Sequence, residues 1–483
     1  MLFSLLTLLA CGPKPPPVVA AHSPSREATT RPAPLEKSSF SLPSLEKGTL
    51  QNNIPVAISK NNEVPLVYIW ITFDAGGWTD PDDQIGLAKA TMDMLDEGAG
   101  EYSAGALSKE LRKLASSIST QATMDGASIR LQCLKKNLKP SLELLAEILQ
   151  QPTFPQSVWD RKAQEYQQEL ARQTSDPKQI ARRVWRKLLY GQEYAGRLQQ
   201  STHIESLSTT AMKQWHQTFL TPDNAQIWVG GDTSLDDILP HLEETFGQWS
   251  VESTQPFPRK PSAITLQEPT RTFVYLVDQP GVSQSVMYLG HGVGTKTDEH
   301  ATPLLLANQS FGGMFTARVN MNLREDKGWT YGAWTWLSYN YYPGTWTMSS
   351  SVITKQTAAA IREVIKDIRE SKSTRPLTTT EFERGRGDLL GQFPLKFEQP
   401  AYLLSRQIEI SRYNLPKDWL NQYEDRISKV TLEDSQAVWN DIIDPESMFI
   451  VVVGDRSAIE SDLLDLGYTV IHTDYNGQKI EKE

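Results

Sequence analysis

Cysteine is scarce. The 483-residue chain has two, Cys11 and Cys133. One of them sits in the N-terminal segment, so a disulfide framework is excluded. Two cysteines and seven scattered histidines also exclude a Cys/His zinc finger and an iron–sulfur site. Positive charge is not in excess: the formal net charge is −10, with charged residues at 22%. That balance argues against a nucleic-acid binder and against a polybasic membrane-surface binder. No internal run approaches the ~18 apolar residues of a membrane span. A Gly-x-Ser-x-Gly elbow and a Walker-type phosphate loop are both missing. What remains is 39% hydrophobic residues, enough for real cores, in a length that fits two or three domains.

The N-terminus reads as an address and a tether. Leu2 to Ala10 is a short apolar run ending at Cys11. It is too short to span a bilayer but fits the apolar region of a secretory signal, although the usual basic start is missing. Leu8-Leu9-Ala10-Cys11 resembles the bacterial lipobox, in which Cys11 becomes the lipidated first mature residue; a plain signal peptide is the other reading. Gly12 rather than Asp follows, which favours the outer membrane over the inner. Residues 1–11 are thus expected to be a signal segment. Residues 12–44, rich in Pro, Ala, Ser and Thr, are expected to be an extended tether.

Residues 45–250 and 270–475 follow one plan twice. Each copy opens with β-branched strands, predicted at Ile54–Ser59 and Val64–Phe73, then at Thr272–Val277 and Ser285–Leu289. A Gly- and Asp-containing loop and an apolar helix follow in both. Each copy closes with a strand before Gly-Asp, Ala225–Val229 and Met448–Val453. A shift of roughly 220 residues between matched segments marks an internal repeat. The expected fold class is α+β, with two homologous lobes, each an antiparallel sheet with helices packed on one face. Residues 251–269, with three prolines between Glu252 and Gln267, are expected to link the lobes, and 476–483 to form a tail. Periodicity predicts helices over Leu107–Ile118, Lys139–Leu149, Pro155–Thr174 and Gln356–Arg369. In the second of these, Pro140 suits a first turn and Leu142, Leu145, Ile148 and Leu149 form a core stripe.

Several segments together resemble the insulinase/pitrilysin superfamily, in the branch of mitochondrial processing peptidase and its bacterial relatives. In the first lobe they are Phe73-Asp74-Ala75-Gly76, Gly86-Leu87-Ala88, Tyr166–Pro177, Leu220–Ala225, Val229–Asp232 and Phe246–Trp249. In the second they are Val277–Gly281, Gln284-Ser285, Phe311-Gly312-Gly313, Leu323-Arg324-Glu325 and Gly328-Trp329-Thr330-Tyr331. The resemblance covers about 45–475 and implies half of a peptidase clamshell. It also implies a zinc motif, His-x-x-Glu-His, on the helix after Gly-Leu-Ala, with a late Glu about 76 residues on. Here the five positions are Lys89, Ala90, Thr91, Met92 and Asp93, and Glu169 stands at the late position. Lys89 would repel a cation and Met92 cannot act as a general base. Asp93 and Glu169 alone do not make a site of three protein ligands plus water. No cofactor is expected in this chain.

The second lobe departs less. The resemblance implies an Arg and a Tyr seven residues apart in the C-terminal half, and Arg324 and Tyr331 stand at that spacing. A phenol and a guanidinium aimed at a peptide carbonyl act most strongly when that carbonyl becomes tetrahedral and negative. Considered alone, the pair reads as a salt bridge and a packed ring. The Gly312-Gly313 counterpart in the family sits near the substrate cavity. The aromatic run Trp329, Trp334, Trp336, Tyr339, Tyr341, Tyr342 and Trp346 is expected to be core-facing on a strand pair.

Three functions follow. The first is the non-metal subunit of a two-chain zinc peptidase, paired with a subunit of the same fold that carries His-x-x-Glu-His and the zinc. It would act on peptides and be anchored to the cell envelope. The second is an inactive peptidase-like binding or assembly module at the envelope, like the core subunits of respiratory complexes that share the fold. The third, a peptidase acting alone through Asp93, Glu169 and an unrecognised ligand, has the least support.

Overall fold

A computed structural model describes residues 45–251, 260–261, 264–339 and 343–480. The signal segment with Cys11, the tether to residue 44, most of the 252–263 stretch, Tyr341, Tyr342 and the last three residues lie outside the described residues.

The first lobe has six strands in one sheet. They are β1 (Glu46–Thr49), β2 (Pro55–Lys60), β3 (Leu66–Phe73), β4 (Ser117–Ala122), β5 (Ala127–Leu134) and β6 (Ala225–Gly231), in the order β1-β2-β6-β3-β5-β4. The second lobe also has six. They are β7 (Phe273–Asp278), β8 (Gln284–Gly292), β9 (Thr330–Ser338), β10 (Thr345–Ile353), β11 (Phe449–Gly454) and β12 (Thr469–His472), in the order β9-β10-β8-β11-β7-β12. Five strands of each sheet share one order. The lobe's first strand lies beside its last, then come the second, fourth and third. This is the duplication seen in three dimensions.

The α+β, two-lobed plan stands, with two corrections. The sheets are mixed rather than wholly antiparallel. β2 pairs parallel with β6, and β7 pairs parallel with both β11 and β12. A last strand that returns beside the first after a long helical excursion can run parallel to it, because the connection is long enough for a crossover.

The second correction concerns the helices. Each sheet has one face on its own lobe's helices. For the first sheet these include α1 (Leu87–Met94) and α3 (Leu138–Gln150), whose apolar stripes join Ile69, Ile71, Ile129 and Ile227 in one core. The other face is not open. α5 (Pro177–Tyr190) belongs to the first lobe by sequence, yet its Ile180, Val184, Trp185 and Leu189 pack on Val286, Tyr288, Val451 and Val453 of the second sheet. α9 (Pro400–Arg412) of the second lobe returns the exchange, setting Leu404 and Ile408 on Ala57, Trp70 and Trp228 of the first sheet. Both sheets therefore carry apolar side chains on both faces, as buried strands must. The linker takes part: Ile264 and Leu266 are buried in the same interlobe cluster as α5.

Local boundaries have local causes. The helix expected over Leu107–Ile118 is α2 (Ala104–Lys113). The Ser103 hydroxyl accepts from the Ala106 amide at its start. Ala115, at φ 48°, ends it, and Ile118 belongs to β4. α4 (Gln156–Gln173) follows α3 and carries the late acidic position. In the second lobe α6 (Ala301–Asn308), α7 (Thr357–Ser371), α8 (Thr379–Leu395) and α10 (Leu432–Ile442) contribute to the covering layer. Cys133 lies in the first core, where burial pushes its thiol up to about 11, so it is a packed side chain rather than a nucleophile. No helix among the described residues is long and apolar enough to cross a membrane.

Candidate functional site

α1 begins at Gly86, whose φ of 103° is open to glycine. The buried Asp80 carboxylate accepts from the Gly86 and Ala88 amides, at 2.7 and 2.8 Å, and so caps the helix. Burial raises its acid to about 6 in spite of those bonds. The inner side of α1 buries Leu87, Ala88, Ala90, Thr91, Met92 and Met94. Met92 is thus a core side chain. Lys89 and Asp93, one turn apart, share the outer side.

These two form an ion pair, the Lys89 ammonium donating to the Asp93 carboxylate. α4 supplies a third member. The Tyr166 hydroxyl donates to Asp93 Oδ2 at 2.7 Å, accepts from Lys89 Nζ at 3.1 Å, and the ammonium lies 4.6 Å from the ring centroid. Burial and the Asp93 charge drive the Tyr166 phenol far above its ordinary value, so it stays a donor. Tyr166 was missed as a site residue. The available signal was its place on the late helix, three residues before Glu169 and on the same side. Glu169 itself turns away to Arg172, which forks both its oxygens at 2.8 Å, and accepts from Gln173 at 2.9 Å. The Arg172 and Gln173 bonds lower its acid. His203 is used locally, its Nδ1 accepting from the Gln200 amide at a helix start.

A zinc ion does not fit this set. It needs deprotonated, uncharged-nitrogen or carboxylate donors converging from several sides. An ammonium already sits on the Asp93 carboxylate, and Glu169 is engaged by a guanidinium. Among the described residues no group of three His, Cys, Asp or Glu side chains could hold a metal. An exposed pair one helical turn apart contributes only about 0.3–0.5 kcal/mol, so the Lys89–Asp93 pair fills this surface rather than holding the lobe together.

The second set is built differently. Gln309–Gly313 and Met321–Asp326 are wide, π-type helical stretches on either side of a short turn at Arg318–Asn320. Gly328, at φ 66°, closes the second stretch. Its amide bonds the Arg324 carbonyl and the Trp329 amide bonds the Leu323 carbonyl, a left-handed glycine ending, wider than that of an α-helix, that hands the chain directly to β9. Two anchors fix the segment. The buried Asn320 side chain accepts from the Ala333 amide of β9 at 3.0 Å and donates to the Phe315 carbonyl at 2.7 Å. Arg318 forks Glu381 of α8 at 2.5 and 2.6 Å and donates to the Arg375 and Pro376 carbonyls.

On this frame Arg324 and Tyr331 face outward. The Arg324 guanidinium lies 4.5 Å from the Phe315 ring centroid, with Nε 3.4 Å from a Glu325 oxygen. Tyr331 is 90% exposed and has no hydrogen-bond partner among the described residues. Gly312 is buried, and a Cβ there would lie 2.4 Å from Thr335 Oγ1. It is a close-packing position between the π-type stretch and β9, while Gly313 beside it is half-buried.

That close approach overturns the expected core role for Trp334 and Trp336, while Trp329 and Tyr339 pack, half-buried, against the second core. Where Gly312 approaches, the inner face of β9 carries the small Ala333 and Thr335, and the alternate residues Trp334 and Trp336 point out, at 41% and 38% exposed. Trp346 on β10 does fill the core. Tyr331, Trp334, Trp336, Phe315 and Met321 are all exposed around one sheet edge. No hydrogen bond or ion pair joins the Lys89–Asp93–Tyr166 set to Arg324 or Tyr331 among the described residues.

The profile of the insulinase family, peptidase family M16, matches residues 55–200, and that of the peptidase M16 inactive domain matches residues 206–389. The chain is 20% identical to the "Non-peptidase homolog YmxG" of Helicobacter pylori, over 80% of this chain and 88% of that protein. It is also 20% identical to the "Uncharacterized zinc protease YmxG" of Bacillus subtilis, over 75% of this chain and 87% of that protein. A peptidase M16 inactive domain from Pseudomonas fluorescens superposes with a TM-score of 0.77 at 22% identity, covering 85% of this chain and 98% of that one, which shows the fold. The chain belongs to the insulinase family of peptidases, M16, as a peptidase-like member whose first lobe lacks the metal-holding residues.

Proposed function

We propose that this chain is the non-metal subunit of a two-chain peptidase. A partner of the same fold would carry His-x-x-Glu-His and the zinc that activates the attacking water. This chain would bring Arg324 and Tyr331 to the peptide. The Tyr331 hydroxyl would donate to the carbonyl oxygen as it gains negative charge, and the Arg324 guanidinium would hold a second oxygen or the peptide's backbone carbonyl. The exposed aromatics along β9 would receive apolar side chains.

The observation that carries this reading is Tyr331. Full burial of a large apolar side chain gains about 1.5–3 kcal/mol. Tyr331 forgoes that gain, and its hydroxyl bonds nothing within the described residues. A ring held out by the Gly328 turn and two buried anchors is set for an external partner.

A second reading has one observation of its own, the relative named a non-peptidase homolog. Under it the same exposed face binds peptides or a partner protein without hydrolysis. Lipidation at Cys11, and with it an outer-membrane address, rests on the sequence Leu8–Cys11 alone and applies to either reading.

The experiment is a mild-detergent purification of the tagged chain from its native membranes, followed by a peptide-cleavage assay on whatever co-purifies. The peptidase reading expects a stoichiometric subunit bearing His-x-x-Glu-His and hydrolysis that falls at least ~10-fold in Arg324→Ala. A self-dimer, or a partner without that motif and no hydrolysis, would leave the binding-module reading.

A further inference from the structure

α9 covers the first sheet incompletely. Beside Ile408 a cavity of about 450 Å³ opens between the sheet, α9 and the far end of β9. Four cations line it, Arg130, Lys296, Arg406 and Arg412, against one carboxylate, Glu409. The chain as a whole is acidic, at −10, so this is a local reversal of sign.

The carboxylate is already engaged. Glu409 accepts from Lys296 and forms an ion pair with Arg406 at 2.5 Å. Arg130 and Arg412 have no hydrogen-bond or ion-pair partner among the described residues. Arg130 lies 4.2 Å from the Trp70 ring centroid, and its Nε is buried without an acceptor. Burial, and then the nearby Arg412 charge, weaken its hold on its proton. The next acids, Asp74 and Asp125, are held by the buried Lys260 at 3.6 and 3.4 Å. Two neighbouring guanidiniums left without an anion in a half-enclosed space are costly unless something else neutralises them.

We propose that this cavity binds the phosphate group of a small phosphorylated compound, held between Arg130 and Arg412. A phosphate monoester brings close to two negative charges and three acceptor oxygens. A single carboxylate would neutralise only one of the two cations. Guanidinium forks match phosphate oxygens in geometry as well as charge. The cavity is of the size small ligands occupy, about 300–1,000 Å³, with space beyond the phosphate for the rest of the molecule. The site lies on the outer face of the first sheet and does not depend on the peptidase reading.

Calorimetric titration of the full chain tests it, with pyrophosphate as the probe and malonate and chloride at matched ionic strength as the other arms. The expected result is saturable one-site binding of pyrophosphate, weakened about tenfold or more in Arg130→Gln and in Arg412→Gln. Pyrophosphate should also raise the Tm of the wild type and not that of Arg412→Gln. Without added anion, Arg412→Gln should melt at or above the wild type, because a nearby like charge is gone. No saturable binding by the wild type, malonate binding as tightly as pyrophosphate, or undiminished binding by either variant would each overturn the proposal. The wild-type titration decides the matter even where a variant fails to fold.

Discussion

The two lobes share a strand order and differ in what they leave exposed. In the first, the outer side of α1 is self-contained: Lys89, Asp93 and Tyr166 satisfy one another, and Glu169 is held by Arg172. In the second, the segment before β9 is anchored from beneath by Asn320 and Arg318, while Arg324 and Tyr331 are turned outward. The difference teaches how a duplicated fold can lose a site on one side without losing the fold. α1 keeps its core face, Met92 included, and only the solvent side has been refilled by a compact ion pair. The second lobe spends buried polar groups on holding an exposed phenol in place, for which packing alone offers no return.

The comparison can be broken most decisively in the first lobe. Lys89→His with Asp93→His removes the ammonium and sets two imidazoles one turn apart on α1, within reach of the α4 side that carries Glu169. Metal analysis after zinc loading should find about one zinc per double-variant chain and about none in the wild type. Equal zinc in both would mean that the Lys89–Asp93 pair is not what closes this site.

The anchors of the second lobe give smaller effects. Burial works to raise the Glu381 acid, but its bonds to Arg318 and Thr378 outweigh burial and hold it down at about 2, against 4.5 unfolded. A depressed acid contributes stability above its unfolded value, and that contribution is lost as pH falls from about 4.5 through 2. Glu381→Gln should therefore cost up to about 3 kcal/mol at pH 7, and its unfolding curve should show less dependence on pH below 5 than the wild type. Urea unfolding across pH 3–7 checks both. Asn320→Ala leaves the buried Ala333 amide without its acceptor. It should cost about 1–3 kcal/mol, read as a drop in Tm. A neutral result there would mean that the Arg324 segment is held by packing alone.

Much of this was legible in the sequence, and the rest was hidden for physical reasons. Strand periodicity and the repeat located β2, β3, β6, β7, β8 and β11, and the motif positions showed the missing imidazoles directly. Helical periodicity says that α5 and α9 have an apolar face; it does not say which sheet that face meets, so the exchange of helices between lobes could not be read. The outward turn of Trp334 and Trp336 depends on how closely Gly312 approaches Thr335, a contact 23 residues apart in the chain. Tyr166 became visible as a partner of Asp93 only when α1 and α4 lay side by side. The Arg130–Arg412 pair joins residues from different lobes and carries no local pattern at all.

The most direct test of the central claim is the initial rate of peptide hydrolysis by the co-purified complex with Tyr331→Phe in place of the wild-type chain. Tyr331 is exposed, so the exchange should leave Tm and complex formation unchanged. If the phenol acts on the developing oxyanion, the rate should fall by ~10²-fold or more. A rate within about twofold of the wild type, far short of the loss of one oxyanion donor, would contradict the account and leave the outward tyrosine as a binding contact only.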